Sequence, residues 1–165
     1  MSLVRDMNTL KRLAAVLAAG LWLSPGCAAP EPVLSFLDDE SNLSFTHPPR
    51  WNVGAAEQSG VRYRYLTAPR LEGDKDALSI TFIAPAPAAS ADEVAKAYLE
   101  GATAVAPRSA SSGVREWTFN DSSGVPSRLH LVPAGSRFFG AWVRGSAAAL
   151  SRYAPRVDAV LASLR

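Results

Sequence analysis

Cysteine and histidine are scarce in this sequence of 165 residues. Cys27 is its one cysteine, and His47 and His130 are its two histidines. The chain after Cys27 therefore lacks a thiol, which excludes a disulfide framework and a cysteine-ligated metal from that part. Two histidines far apart in sequence make a poor metal site unless carboxylates join them. We expect a domain that depends on its hydrophobic core alone and holds no metal and no cofactor.

The part of the chain after Cys27 also has no net charge. The 17 Lys and Arg residues include Arg5, Lys11 and Arg12, and the 15 Asp and Glu residues include Asp6. Taking three from 17 and one from 15 leaves 14 residues of each sign after Cys27. A neutral domain lacks the clustered cations that release counterions from phosphates, so we expect no binding to nucleic acid.

Familiar catalytic motifs do not occur. The sequence has no G-x-S-x-G elbow, no H-E-x-x-H pair and no glycine-rich phosphate loop after a strand. His47, which precedes two prolines, is typical of a turn, and His130 fits a solvated strand face. The run Asp38-Asp39-Glu40 lacks the spaced oxygens and turn glycine of a calcium loop, so it indicates a solvated acidic linker. We predict that the protein is not an enzyme. The alternative is a secreted hydrolase of unrecognised type.

The apolar run near the start is too short to span a bilayer. It covers residues 13–23, eleven residues, whereas a membrane-spanning helix needs about 20. Lys11 and Arg12 precede it and Ser24-Pro25-Gly26 follows it, which is the pattern of a secretory signal. Cys27 comes next, before a Pro/Ala/Glu tract. This arrangement resembles the bacterial lipoprotein signal, and the resemblance implies that Cys27 is lipidated.

Three regions follow from this interpretation. Residues 1–26 are the signal peptide, residues 27–41 are the lipidated cysteine with a flexible tether, and residues 42–165 are a single domain. Phe36 is the side chain through which the tether can dock. A lipid anchor implies the bacterial cell envelope, and Ala28 after the cysteine, in place of an aspartate, favours the outer membrane facing the periplasm.

Other interpretations of the start remain open. A signal cut after Ala29 would discard Cys27 and release the domain, and an uncleaved peptide would itself be the anchor. Met7 is a second possible start, because the residues from Met7 to Arg12 already form a complete positive region.

Hydrophobic periodicity predicts strands, a helix, further strands and a final helix. Ser90 and Glu93 form a capping box at the start of the first helix. Residues 157–164 carry the i, i+3, i+4, i+7 stripe of the second, with Pro155 near its start. Turn residues at 121–124 and 133–136 imply antiparallel neighbours. The predicted strands include residues 43–46, 51–53, 61–65, 78–82, 114–119, 129–132 and 137–144.

Aromatic and apolar residues indicate where the core lies. The strand at 137–144 is apolar on both faces, so we expect it at the centre of a sheet with cover on both sides. Trp51, Trp117 and Trp142 are expected in the core, the alternative for each being a ligand platform.

Three segments resemble the PsbP-like superfamily, which includes bacterial lipoproteins of the DcrB and LpqN type. They are residues 43–53 (LSFTHPPRWNV), residues 91–100 (ADEVAKAYLE) and residues 152–165 (RYAPRVDAVLASLR). The resemblance implies an α+β fold: an antiparallel β-sheet with helices packed on it, arranged as an α/β/α sandwich. It also implies partner binding in place of catalysis. The expected function is a membrane-tethered binding or accessory module, with a secretion-associated adaptor as a further alternative.

Basic residues on two predicted strands supply a candidate site for a protein partner. If the apolar residues of the strand at 61–65 point into the core, alternation places Arg62 and Arg64 on the opposite face. The same argument places Arg128 and His130 on a later strand. A cationic face on a neutral domain favours an acidic partner. The alternative is scattered solubilising charge.

Overall fold

The computed structural model describes residues 32–39, 42–58, 60–87, 90–109 and 113–165. Residues Pro32–Arg165 form one compact unit. The predicted signal peptide and Cys27 lie outside the described residues. No helix in the described ranges is long and apolar enough to cross a membrane.

A seven-stranded antiparallel sheet is the centre of this unit. The described ranges contain the strands β1 (Leu34–Asp38), β2 (Leu43–His47), β3 (Asn52–Gln58), β4 (Val61–Thr67), β5 (Ser79–Pro87), β6 (Thr103–Ser109), β7 (Arg115–Asn120), β8 (Pro126–Ala134) and β9 (Arg137–Arg144), and the helices α1 (Ala91–Leu99) and α2 (Ala147–Ser163). The sheet has the order β3-β4-β5-β9-β8-β7-β6, and β1 and β2 form a separate antiparallel hairpin. The expected α+β class, an antiparallel sheet with helices packed on it, is confirmed.

β9 is the fourth of the seven strands, as its two apolar faces indicate. Ala141 and Val143 point into one core, and Trp142 packs against another on the opposite face. Gly140 lies where β8 comes close, because a Cβ added there would overlap the carbonyl oxygen of His130. Any larger side chain would push β8 and β9 apart in the middle of the sheet.

The larger core lies between the sheet and a cover made of α2 and the β1–β2 hairpin. Phe45 of β2 stacks on Phe82 of β5, with ring centroids 4.1 Å apart. Trp51 meets Tyr153 of α2 edge to face, with centroids 5.6 Å apart. Both covering elements bury aromatic surface against the same sheet face, so they share one core.

The smaller core lies on the opposite face, under α1. Ala95 of the helix is buried there with Trp117 and Leu129 of the sheet. The Ser90 hydroxyl accepts a hydrogen bond from the Glu93 amide at 3.2 Å. This bond confirms the predicted helix start.

The tryptophans expected in the core lie there. Trp51 and Trp117 are buried. Trp142 is partly buried against the smaller core, and its ring lies 6.1 Å from that of Tyr98 in a T-shaped contact. No described residue accepts a hydrogen bond from its buried indole nitrogen.

β1 lies in the segment that sequence patterns assign to the tether. The structure pairs residues 34–38 with β2 along their whole length, and Phe36 stands opposite Phe45 with ring centroids 5.0 Å apart. Apolar and polar residues do not alternate clearly along β1, because its leucines are not on a buried face: Leu34 is 48% and Leu37 64% exposed. The compact unit therefore includes ten residues before position 42, beginning at Pro32.

α2 is longer than its apolar stripe indicates. It begins at Ala147, and the Ser146 hydroxyl caps it by accepting from the Ala149 amide at 3.0 Å. Pro155 therefore lies inside the helix, and the prediction that it stands near the start is wrong. Proline has no amide to donate to the carbonyl of Ser151, but Pro155 is on the exposed side, where water can reach that carbonyl.

β6 has no counterpart among the predicted strands. It is an edge strand that pairs with β7 alone in the sheet, and its residues 103–108 are exposed. Without a buried face it shows no hydrophobic alternation. Its Pro107 is compatible with an edge position, where a missing amide costs little.

Trp51→Ala and Leu161→Ala should each lower the free energy of unfolding by about 2–5 kcal/mol, because each leaves a cavity in the larger core. Both side chains are buried, and urea denaturation followed by circular dichroism measures the change. Val61→Ala, at a side chain 65% exposed, is the matched control. It should remain within about 0.5 kcal/mol of the wild type. Wild-type stability in both core variants would contradict the assignment of this core.

Candidate functional site

A cluster of four side chains joins the sheet to the flank of α2. Glu116 of β7 is at its centre: its Oε1 accepts from Arg128 Nη2 at 2.8 Å and from His130 Nδ1 at 2.6 Å. Arg128 Nη1 also donates to Asp158 Oδ1 of α2 at 2.5 Å. An ionised carboxylate can only accept, so His130 carries a proton on Nδ1. We call Glu116, Arg128, His130 and Asp158 the Glu116 cluster.

Strand register brings this cluster together. β7 and β8 pair with Glu116 opposite His130 and Thr118 opposite Arg128. Leu129 points into the smaller core, so alternation turns Arg128 and His130 toward α2. His130 is only 8% exposed, and the expectation of a solvated strand face is wrong. The reason is that α2 packs across β8 on this side.

The surroundings of Glu116 favour its ionised form. Burial acts to raise the pKa of its carboxyl group, but hydrogen bonds and positive charge from Arg128 and His130 outweigh that effect. The pKa therefore lies below its ordinary value. Burial acts to lower the pKa of Arg128, yet its bonds to Glu116 and Asp158 raise it overall. An ionised carboxylate has no proton to donate, and the two hydrogen bonds that it accepts make it a weak base. Here it holds Arg128 in place.

A groove of about 390 Å³ opens beside the cluster. Its floor is formed by β6, β7 and β8, and its wall is the flank of α2. We call it the α2 groove. Arg108 and Arg128 are the charged residues that line it. The strands also contribute polar residues and the helix apolar ones: Thr118, Asn120 and Ser127, and Leu150, Ala154 and Val157.

Arg62 and Arg64 lie on the same sheet face as Arg128 and His130, but not beside them. β5 and β9 separate β4 from β8, and the larger core fills the space between. Arg64 Nη2 donates to Asp38 of β1 at 2.6 Å, and Arg128 and His130 have their own acidic partner. Asp38 is buried and not part of a solvated linker, because it faces Arg64. The four basic residues do not form one continuous face, and partner binding by them stays a prediction.

The inward direction expected for the first residues of β4 is wrong. Val61 is 65% exposed, and Tyr63 and Tyr65 are half-buried on the face away from the larger core. Leu66, on the same side of the strand as Arg64, is fully buried in that core. β1 makes this arrangement possible, because it supplies a buried acid for the arginine.

The two histidines lie in separate elements. His47 ends β2 and is buried, with Nδ1 donating to the carbonyl oxygen of Pro48 at 3.0 Å, whereas His130 belongs to the sheet. Across the described ranges, no group of three or more His, Cys, Asp or Glu residues is placed to hold a metal ion.

Sequence patterns do not single out Glu116, Asp158 or Arg108 as site residues. One available signal is an acid and a histidine, Glu116 and His130, on two strands joined by a predicted tight turn. Asp158 and Arg108 carry no such signal, because only the tertiary fold brings α2 and β6 to the groove.

Comparison with known proteins concerns the fold. No family model and no curated protein matches the chain. The solution structure of cyanobacterial PsbP (CyanoP) from Synechocystis sp. PCC 6803 is similar to this one, with a TM-score of 0.51 and 12% sequence identity. The similarity covers 86% of this chain and 96% of that chain. The fold is PsbP-like. At this identity the PsbP-like fold is what the similarity shows, and function must come from the site.

Glu116→Gln should remove part of the dependence of stability on pH. The pKa of Glu116 is lowered in the folded protein. Its contribution to stability is therefore full above the ordinary carboxyl pKa and is lost as the pH falls through the lowered value. The charged groups that face it are Arg128 and His130 of β8 and Arg108 of β6, its strand partner. Asp158 of α2 is linked to Glu116 indirectly, because both carboxylates accept hydrogen bonds from Arg128.

Urea unfolding between about pH 7 and about pH 3 measures this effect. The variant should be less stable than the wild type at the upper pH, and the difference should shrink at the lower pH. Glu72→Gln, at an exposed carboxylate outside the cluster, is the control and should stay close to the wild type throughout. A difference for Glu116→Gln that is the same at every pH would contradict the assignment.

Proposed function

We propose that this protein is a bacterial envelope lipoprotein whose PsbP-like domain is a non-catalytic binding or accessory module. Cys27 carries the lipid, and the domain faces the periplasm from the outer membrane. The export pattern around Cys27 supports the anchoring. The chemistry of the α2 groove supports binding.

The hydroxyl groups that line the groove are the observation that carries the non-catalytic assignment. Thr118 Oγ1 donates to the carbonyl oxygen of Ala106 at 3.5 Å, and Ser127 Oγ donates to that of Val125 at 3.1 Å. A nucleophilic hydroxyl needs an adjacent general base to take its proton. Here both protons are directed to backbone carbonyls, so these groups suit ligand contact better than attack on a substrate.

The position of Cys27 suits a short tether. Residues 28–31 separate it from Pro32, where the compact unit begins, and no chain of four residues can span more than about 14 Å. A lipid on Cys27 would thus hold the domain at the membrane surface. Exposed apolar side chains follow directly in sequence: Val33, Leu34 and Leu37.

Cys27→Ser should abolish lipid attachment, because the thiol is the acylated group. We expect the wild-type protein to enter the detergent phase on phase separation and to show the mass of a chain starting at an acylated Cys27. The variant should stay in the aqueous phase or keep its signal peptide.

Ser35→Ala, at an exposed serine after the signal, is the matched control, because it keeps the cysteine and the whole signal. It should partition like the wild type. A mature wild-type chain that is unmodified and begins after Cys27 would refute the anchoring.

A further inference from the structure

We propose that the α2 groove binds a small organic anion whose carboxylate is held by Arg108 and Arg128 and whose apolar body lies against α2. This inference rests on the proposed binding function and adds the chemical class of the ligand. Three observations support it: the charges that line the groove, the hydrogen-bond partners of the two arginines, and the apolar wall.

Arg108 is the more accessible of the two cations. It is exposed on the edge strand β6, and no acid in the described ranges forms an ion pair with it. Its strand partner Glu116 is already bonded to Arg128 and His130. An anion in the groove could therefore pair with Arg108 without displacing an acidic side chain of the described residues.

Arg128 provides a second, positioned cation. Glu116 fixes its Nη2, and its buried Nε has no hydrogen-bond partner among the described residues. Its remaining bond, from Nη1, goes to Asp158, whose side chain is 58% exposed, whereas that of Glu116 is 10% exposed. An exposed carboxylate is readily replaced by another, because water hydrates it when it is released. Asp158 thus occupies the place that a ligand carboxylate would take on the guanidinium group.

The wall of the groove supplies an apolar surface beside these cations. Leu150, Ala154 and Val157 follow the i, i+4, i+7 spacing of a single helix face. The volume of about 390 Å³ lies within the range typical of small-molecule sites, roughly 300–1,000 Å³. A ligand with a fused ring or a short hydrocarbon body and one terminal anion fits this combination.

Two probes that share a ring system and differ in charge test the inference. The full-length protein in lipid nanodiscs is titrated by calorimetry with 2-naphthoate and, separately, with 2-naphthyltrimethylammonium, and the heats of empty discs are subtracted. We expect saturable binding of the carboxylate and binding of the ammonium compound that is weaker by about tenfold or more, equal to about 1.4 kcal/mol.

Variants then locate the site. Arg108→Gln should weaken naphthoate binding by about tenfold. Because Arg108 is exposed, the substitution should leave the fold intact, and circular dichroism checks this. Asp158→Asn should strengthen binding several-fold, because it removes the competing carboxylate. Arg137→Gln, at an exposed arginine outside the groove, is the matched control and should bind like the wild type.

The inference is overturned if naphthoate does not bind saturably, if the ammonium compound binds equally well, or if Arg108→Gln binds like the wild type. Failure of the anchoring is detected separately, because the intact mass of the protein in the same preparation shows whether Cys27 carries a lipid. If Cys27 carries no lipid, the full chain is titrated in buffer with the same probes. The result then decides the ligand class independently of the anchor.

Discussion

β9 has to be covered on both faces, and this requirement determines how the helices and the β1–β2 hairpin are arranged. The strand is apolar on both sides and stands at the centre of the sheet, so neither face can be left to water. α1 covers one face, and α2 with the β1–β2 hairpin covers the other. α2 contacts β8 and β9, and the charged residues on the β6–β7 side of this face lie in the Glu116 cluster and the α2 groove.

The Glu116 cluster makes this boundary stable and also shapes the groove. Burying a carboxylate is unfavourable unless cations and hydrogen bonds compensate for the lost water, and Arg128 and His130 provide both. The same contacts fix the guanidinium group of Arg128 at the edge of the groove, while Asp158 links it to α2. An arginine held in this way is ordered before a ligand arrives, which reduces the entropy that binding must overcome.

Local patterns are sufficient for the main elements and insufficient for the site. The capping box at Ser90 and the two-sided strand at 137–144 are short-range features, and both are confirmed. β1 and β6 escape prediction because neither buries a full face. Glu116 meets His130 because the β7–β8 loop has five residues, 121–125. The turn residues at 121–124 do not fix this length. A loop of four residues would place Leu129 opposite Glu116, because a one-residue shift in register exchanges the two faces of a strand.

The α2 groove, at the edge of the PsbP-like sheet, is the proposed site for an organic anion. A crystal structure of the protein grown with 6-bromo-2-naphthoate would show whether this site binds the anion, because anomalous scattering locates the bromine without ambiguity. We expect a bromine peak against Leu150 and Ala154, with the carboxylate bound to Arg108 and Arg128 and with Asp158 displaced. A well-ordered ligand elsewhere on the domain, with the groove empty and the Arg128–Asp158 pair intact, would contradict it.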